Sequence, residues 1–576
     1  MYWRKPTILL IVEHRNHLVI GLMDYLCLGQ LTQTTPRRSR LILSTMPEFM
    51  KSRDETWAEV AEKTWDVVVV GGGITGAGIA REAARRGLSV LLLEQKDFAW
   101  GASSRSSKMI HGGLRYLKER QIQLTREAVR AREHLLCEGK GLVEPLRFLY
   151  VVYKGDRPGA WTLEFGLTVY DLLKRSRRSY HSQDAMDISL LAPNLNLDGL
   201  RGGFVYTDAQ TDDARLVFRV LREAVHSGAR ALNYVKVEGV SQNQRKDRCV
   251  LSVRDAEGGN TAELNARFVV SATGAWSGEL GLPGEGSLRL RPLRGSHLVF
   301  PWDKLPTAQA VTFAHPEDGR PVFAYPWEGV TLVGTTDLDH DKLLSKEPAI
   351  APEETEYLLD ALHERFADHN LSTRDLLGTF AGVRPVVFGG HGEPSQEPRE
   401  LAIHRDGNLV TVAGGKLTTF HSIARKVVQT LSVEPDVSTS LEPIPPEAAR
   451  AEEVLADLPR LQRSKISGRL GPDLPEFLEW LDENDLEKIQ DTPYTWAELK
   501  WAFENESVVH LDDLLLRRVR IGHLLPEGGM KLREEIENRL TPHTDWQPRC
   551  WREEWRHYSE LWRSSYSPAP GNSEER

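Results

Sequence analysis

The stretch VVVVGGGITGAGIAREAARRGLSVLLLE, Val67 to Glu94, decides the fold. Val67–Val70 is an unbroken apolar run, as in a strand buried on both faces. The spacing predicts a helix over Ile74–Arg86 and a second buried strand over Leu88–Leu93, which together make a βαβ unit. Between strand and helix, Gly71, Gly73 and Gly76 form a G-x-G-x-x-G pattern. The first glycine permits the tight turn, the second lets backbone approach a pyrophosphate, and the third lets helix and strand pack closely. The free N–H groups opening the helix point at the phosphates. Glu94 ends the second strand, 18 positions after Gly76, where a carboxylate accepts hydrogen bonds from a ribose 2′-OH. The unit is a dinucleotide cradle, and the glycines alone leave both NAD and FAD open.

Outward from the cradle, strand and helix patterns continue to alternate. DDARLVFRVLREAVHSGA reads as a helix with Leu216, Val217, Val220, Leu221 and Ala224 on one face. ARFVVSATGAW and GVTLVGTTD read as strands running into Gly- and Thr-rich turns. An α/β body is expected over residues 64–432. A Pro/Ser-rich linker follows over 433–447, then a separate helical domain over 448–563 in which Leu511, Leu514, Leu515 and Val519 form one stripe. The end, 564–576, reads as a disordered tail. Residues 1–63 read as an extension outside the fold, either a disordered tail or sequence ahead of a translation start near Met46 or Met50.

The 576 residues carry a formal charge of −9, which argues against nucleic acid as a partner. Cys27, Cys137, Cys249 and Cys550 are widely spaced with no CxxC, so no zinc site or disulfide scaffold is expected, and a reducing compartment fits. No apolar run reaches the roughly 18 residues of a membrane span. The segment WREEWRHYSELWRSSY (551–566) has the Trp and Arg content of a membrane interface, although packing on its own domain is the first expectation.

Beyond the cradle, GASSRSSKMIHGGLRYL offers Ser103, Ser104, Ser106, Ser107 and Lys108, hydroxyls and a charge suited to a phosphate or a flavin edge. SSKMIHGGLRYL after such a fingerprint resembles the FAD-dependent glycerol-3-phosphate dehydrogenases, quinone-linked flavoproteins of the D-amino-acid-oxidase-like group. GFVYTDAQTDDARLV, SATGAW, RGSHLVF, LVGTTD, AGVRPVV and VAGGKLTTFHSIA match in the family's order, and YTWAELKWAFENESVVHLDDLLLRRVRIG resembles its helical cap. The resemblance spans about Trp65 to Gly522. It implies a Rossmann-like FAD-binding domain with an interleaved α+β substrate domain and a C-terminal α-helical domain. No EF-hand pattern is present, so no metal is expected and the bacterial-type enzyme is favoured over the calcium-regulated form.

The implied reaction takes sn-glycerol 3-phosphate to dihydroxyacetone phosphate, with electrons passing from FAD to a quinone. A phosphate dianion calls for cationic donors, for which Arg is well suited. Arg115 in GGLRY, Arg384 in AGVRPV, Arg405 in IHRDG and Lys416 in GGKLTT are the candidates. His111 in IHGG is the candidate general base, with His297 in GSH as a second. Tyr116, Thr335, Thr336 and Asp337 are expected to line the substrate site. For FAD, the resemblance carries over Gly71, Gly73, Gly76, Glu94, Ser104, Ser107, Lys108, Val237, Thr273, Gly274, Gly415, Leu417 and Thr418, with Val237 meeting adenine through its backbone. GGKLTTF should open a helix whose N-terminus stabilises negative charge. An oxidase producing hydrogen peroxide, an amino-acid oxidase and a non-catalytic flavin-binding protein are the alternatives. The set of cations favours a phosphate over a zwitterion. Peripheral attachment to the inner face of the cytoplasmic membrane and a homodimer are further expectations.

Overall fold

Val67, Val68 and Val69 are fully buried, as a run of β-branched residues with no polar face requires. They belong to the strand Thr64–Val70 at the centre of an eight-stranded sheet. The computed structural model describes residues 13–14, 17–18, 53–113, 122–156, 159–174, 180–280, 289–366, 370–388, 401–431 and 453–568. The chain divides into two units, Met1–Met50 and Lys51–Arg576. Of the first, the described part is the antiparallel pair Glu13–His14 and His17–Leu18.

In the second unit, Thr64–Val70 pairs in parallel with Val90–Leu93 on one side and Thr261–Ser271 on the other. Leu409–Ala413 adds in parallel to Thr261–Ser271, so four strand ends converge near the glycine turn. The helices Ile74–Arg85, Asp213–His226 and Phe420–Thr430 cover one face, with Ile79, Val217, Val220 and Val427 in the shared core. The second predicted strand is shorter than its apolar run, because the Leu88 N–H still caps the preceding helix at the Ala83 carbonyl.

A second, ten-stranded and mostly antiparallel sheet stands beside the first. One face packs on the helix Pro352–Arg365 through Leu298, Phe313 and Leu358. The other face, with Val299, Tyr325, Trp327 and Phe380, shares one core with Leu511, Leu514, Leu515, Trp551, Trp555 and Tyr558 of the C-terminal segment. The helical segment thus closes a sheet face that would otherwise be open and apolar.

Three expectations are corrected at their borders. The helix Arg53–Glu62, read as extension, lays Val60 and Trp57 on the first sheet and pairs Arg53 with Asp255 at 2.7 Å. The last helix, Pro548–Ser565, runs past residue 563, and Tyr566 is buried with its hydroxyl donating to Glu347. The leucine stripe winds as a π-helix over Asp513–Arg518, although all four of its apolar residues are buried. The linker 433–447 lies outside the described residues. The 551–566 helix buries Trp551, Trp555, Tyr558 and Trp562 against its own unit, as expected over a membrane role.

Candidate active site

The glycine turn is built by close approach. Gly71 has φ +113°, and a Cβ there would lie 2.5 Å from the Ala272 carbonyl oxygen. A Cβ on Gly76 would lie 1.8 Å from the Gly71 oxygen, so strand and helix meet only because both residues lack side chains. Gly73 precedes the first helical residue, and the Ile74 N–H donates to Ser103 Oγ at 3.0 Å. Glu94 accepts from the Gly72 N–H at 2.7 Å and the Lys96 N–H at 2.9 Å. Burial pushes its carboxyl pKa up, against those hydrogen bonds.

This turn opens one end of a cavity of about 720 Å³. Its walls include Gly71, Gly73, Glu94, Ser107, Val237, Thr273, Gly274, Gly415, Leu417 and Thr418 of the predicted cofactor set. They also include His111, Thr335, Asp337, Arg384 and Lys416 of the predicted substrate set. Gly76 acts from behind the turn. A cavity of this size lined by a glycine turn, the Glu94 carboxylate and several cations fits an adenine dinucleotide with an anionic partner.

At the cationic end, Arg384 donates to Asp337 Oδ1 at 2.8 Å and to Thr335 Oγ1 at 2.9 Å. The guanidinium lies across Gly295, where any Cβ would come within 2.1 Å of it. Lys416 precedes the short 3-10 turn Leu417–Thr419, which leads into the helix Phe420–Thr430 as expected. His111 borders the cavity just before Gly112, whose N–H donates to Asp208 at 3.3 Å. Asp208 is in turn held by Arg132 and by the Tyr170 hydroxyl, the latter at 2.8 Å.

Other expectations meet different surroundings. Lys108 is buried away from the cavity, 3.0 Å from Asp213 and 3.1 Å from the Ser104 carbonyl. Burial and the neighbouring Arg520 pull its pKa down to about 8, against Asp213. Ser104 is buried too, its carbonyl accepting from both Lys108 and Arg520. Thr336 faces inward, donating to Glu354 and accepting from the Ser296 N–H. Arg405 donates to the carbonyls of Gly407 and Thr430 and covers Phe268, so it is no part of this cavity. His297 is buried behind Ser107. Arg115 and Tyr116 lie outside the described residues.

Sequence reasoning gave no role to Arg320 or Asp208, whereas Ser103, named in the serine loop, lines the cavity and accepts from the Ile74 N–H. Arg320 lines the cavity 3.6 Å from Asp337, and its signal was a charge directly ahead of the buried strand Pro321–Trp327. Asp208 stood inside a quoted motif, GFVYTDAQTDDARLV, without a role.

Residues 66–430 match the family described as FAD dependent oxidoreductase, and residues 413–549 match the C-terminal domain of alpha-glycerophosphate oxidase. The aerobic glycerol-3-phosphate dehydrogenase of Staphylococcus haemolyticus is 37% identical over 386 residues, 66% of this chain and 69% of that one. The Bacillus subtilis protein of the same name is 38% identical over 383 residues, 65% of this chain and 68% of that one. The solved glycerol-3-phosphate dehydrogenase from Bacillus halodurans, complexed with FAD, superposes with a TM-score of 0.71 at 27% identity. That match covers 88% of this chain and 97% of that one. The FAD-bound L-alpha-glycerophosphate oxidase from Mycoplasma pneumoniae shares the fold, with a TM-score of 0.55 at 18% identity over 66% of this chain and 99% of that one.

Proposed function

The chain belongs to the FAD-dependent glycerol-3-phosphate dehydrogenase family, and we propose that it oxidises sn-glycerol 3-phosphate to dihydroxyacetone phosphate and passes the electrons to a quinone. Its cofactor is FAD. When bound, FAD supplies the hydride acceptor. The observation that carries the reading is one cavity whose lining brings together the glycine turn and Glu94 with Arg384, Lys416 and His111.

The chain's own residues divide the work. Gly71, Gly73 and the opening of the helix Ile74–Arg85 hold the pyrophosphate. Glu94 receives ribose hydroxyls, and the backbone at Val237 meets the adenine. Arg384 and Lys416 bind the substrate phosphate, with Arg320 as a further cation at the same wall. Thr335 accepts from Arg384 and donates to the Thr336 carbonyl, and so fixes the fork. His111 takes the proton of the substrate C2 hydroxyl, its backbone steadied by the hydrogen bond from Gly112 to Asp208. Arg115 and Tyr116 belong to the same proposal from sequence.

Among the described residues no helix is long and apolar enough to cross a membrane. Delivery to a quinone then calls for a surface that meets the inner face of the cytoplasmic membrane. Trp161 and Phe165, 89% and 72% exposed on the helix Ala160–Lys174, are apolar side chains available for that contact. A homodimer stands as part of the same proposal, as does the division into an FAD-binding body that includes the helix Arg53–Glu62 and a C-terminal helical domain that runs through Tyr566. Purified protein reduced by substrate without air should be reoxidised faster by an added quinone than by oxygen. Rapid reoxidation by oxygen with stoichiometric peroxide would instead establish an oxidase.

A further inference from the structure

His297 sits in the strand Leu290–Pro301, opposite Gly334 on one side and Phe380 on the other. Its ring stacks on Phe380, centroids 4.7 Å apart and planes within 10°. It fits only because Gly334 has no side chain, since a Cβ there would lie 2.3 Å from the imidazole. Nε2 is 2.9 Å from Ser107 Oγ, while Nδ1 is buried without a hydrogen-bond partner among the described residues. Burial, then the cations Arg384 and Lys108, hold the imidazole pKa well below its ordinary value, so the ring is neutral.

A neutral imidazole has one N–H and one bare nitrogen. A buried N–H without an acceptor is rarer than a buried acceptor without a donor. The proton therefore belongs on Nε2, where it donates to Ser107 Oγ. Ser107 borders the cavity, and its carbonyl already accepts from the Tyr325 hydroxyl at 2.8 Å. With its oxygen receiving the imidazole proton, the Ser107 hydroxyl turns its own proton into the cavity.

We propose that His297 is a positioning residue that fixes the Ser107 hydroxyl as a hydrogen-bond donor to an acceptor atom of the flavin ring. This rests on the FAD assignment of the cavity, and the flavin spectrum of the wild-type holoenzyme checks that assignment separately. The test is a cycle of His297→Met, Ser107→Ala and the double variant, read without substrate by FAD dissociation and by the position of the flavin absorption bands. Each single change should weaken FAD by about tenfold and shift the bands, and the double variant should lose no more than either alone. His297→Gln, which keeps an N–H near the Nε2 position, should stay within about threefold of wild type. Independent losses that multiply to about a hundredfold would overturn the coupling, as would a Gln variant as weak as Met. Unchanged FAD binding and bands with a raised KM would place the acceptor on the substrate, overturning the flavin assignment. Should His297→Met fail to fold, an unaltered Ser107→Ala holoenzyme would be sufficient to reject the proposal.

Discussion

Two of the cation groups among the described residues do different things. Arg517, Arg518 and Arg520, from the C-terminal helical segment, are closed off by the protein itself. Arg518 is bidentate on Asp97 at 2.6 and 2.9 Å and also donates to the Glu506 carbonyl. Arg517 joins Asp97 to Asp512 and Asp513, and Arg520 reaches Asp212, Asp213 and the Ser104 carbonyl. Burial alone would raise the Asp97 pKa, but Arg518 and Arg517 hold it down to about 2. Arg384 and Lys416 instead border the cavity, with Arg384 oriented by Asp337 and Thr335. Residue type does not distinguish the groups. What distinguishes them is enclosure: Arg517, Arg518 and Arg520 are fully buried among acceptors of the chain, whereas Arg384, although oriented by Asp337, is a quarter exposed at a volume that a ligand fills.

That contrast sets the size and kind of each expected defect. The largest is Arg518→Met, which leaves Asp97 buried beside a single arginine and should cost about 3–5 kcal/mol in chemical unfolding. The fraction that folds should still reduce its flavin at the wild-type rate, and a slowed rate would erase the contrast. Arg384→Ala should do the reverse, lowering kcat/KM by about 10³ with FAD retained. Its unfolding midpoint should barely move, because Asp337 keeps Arg320 at 3.6 Å. His111→Ala should slow flavin reduction at saturating substrate by about 10² with little change in stability. An unchanged rate would remove His111 as the base.

The smallest effect concerns His510, at the outer edge of the closed group. Burial pulls its pKa down, but a hydrogen bond to Glu554 at 3.0 Å and the charges of Asp513 and Glu554 prevail and push it up to about 9. Its contribution to stability is therefore complete below the ordinary imidazole value near 6.5 and lost as pH rises through about 9. Wild type should lose about 1 kcal/mol between pH 6.5 and 9.5 from this source, and His510→Gln should show a flatter profile in thermal unfolding.

The cradle was legible because its signals are local. Four consecutive valines, three spaced glycines and a carboxylate at the next strand end leave one plausible geometry, and the structure has it. Arg384 and Lys416, named from the family motifs, both line the cavity. Lys108 was not, because its partner Asp213 is 105 positions away and nothing local shows that a carboxylate waits there. Arg405 failed for the same reason, meeting the Thr430 carbonyl 25 positions on. The C-terminal leucines were read as one helical stripe and are buried, but their cover is the second sheet, which helical periodicity cannot reveal. Arg53–Glu62 looked too polar to belong, yet Val60 and Trp57 pack on the sheet, Arg53 pairs with Asp255 and donates to Asn233, and Glu59 pairs with Arg230.

The central claim is that Arg384 and its neighbours read a phosphate while the glycine turn holds FAD. It is tested most directly by anaerobic titration of the holoenzyme and its Arg384→Ala variant with sn-glycerol 3-phosphate and with glycerol, following the flavin band near about 450 nm, as expected of a flavin redox cofactor. The account predicts that sn-glycerol 3-phosphate bleaches the wild-type flavin and glycerol does not, and that the variant needs far more of the phosphate ester for the same bleaching. Equal bleaching by both alcohols, or a variant indistinguishable from wild type, would contradict it.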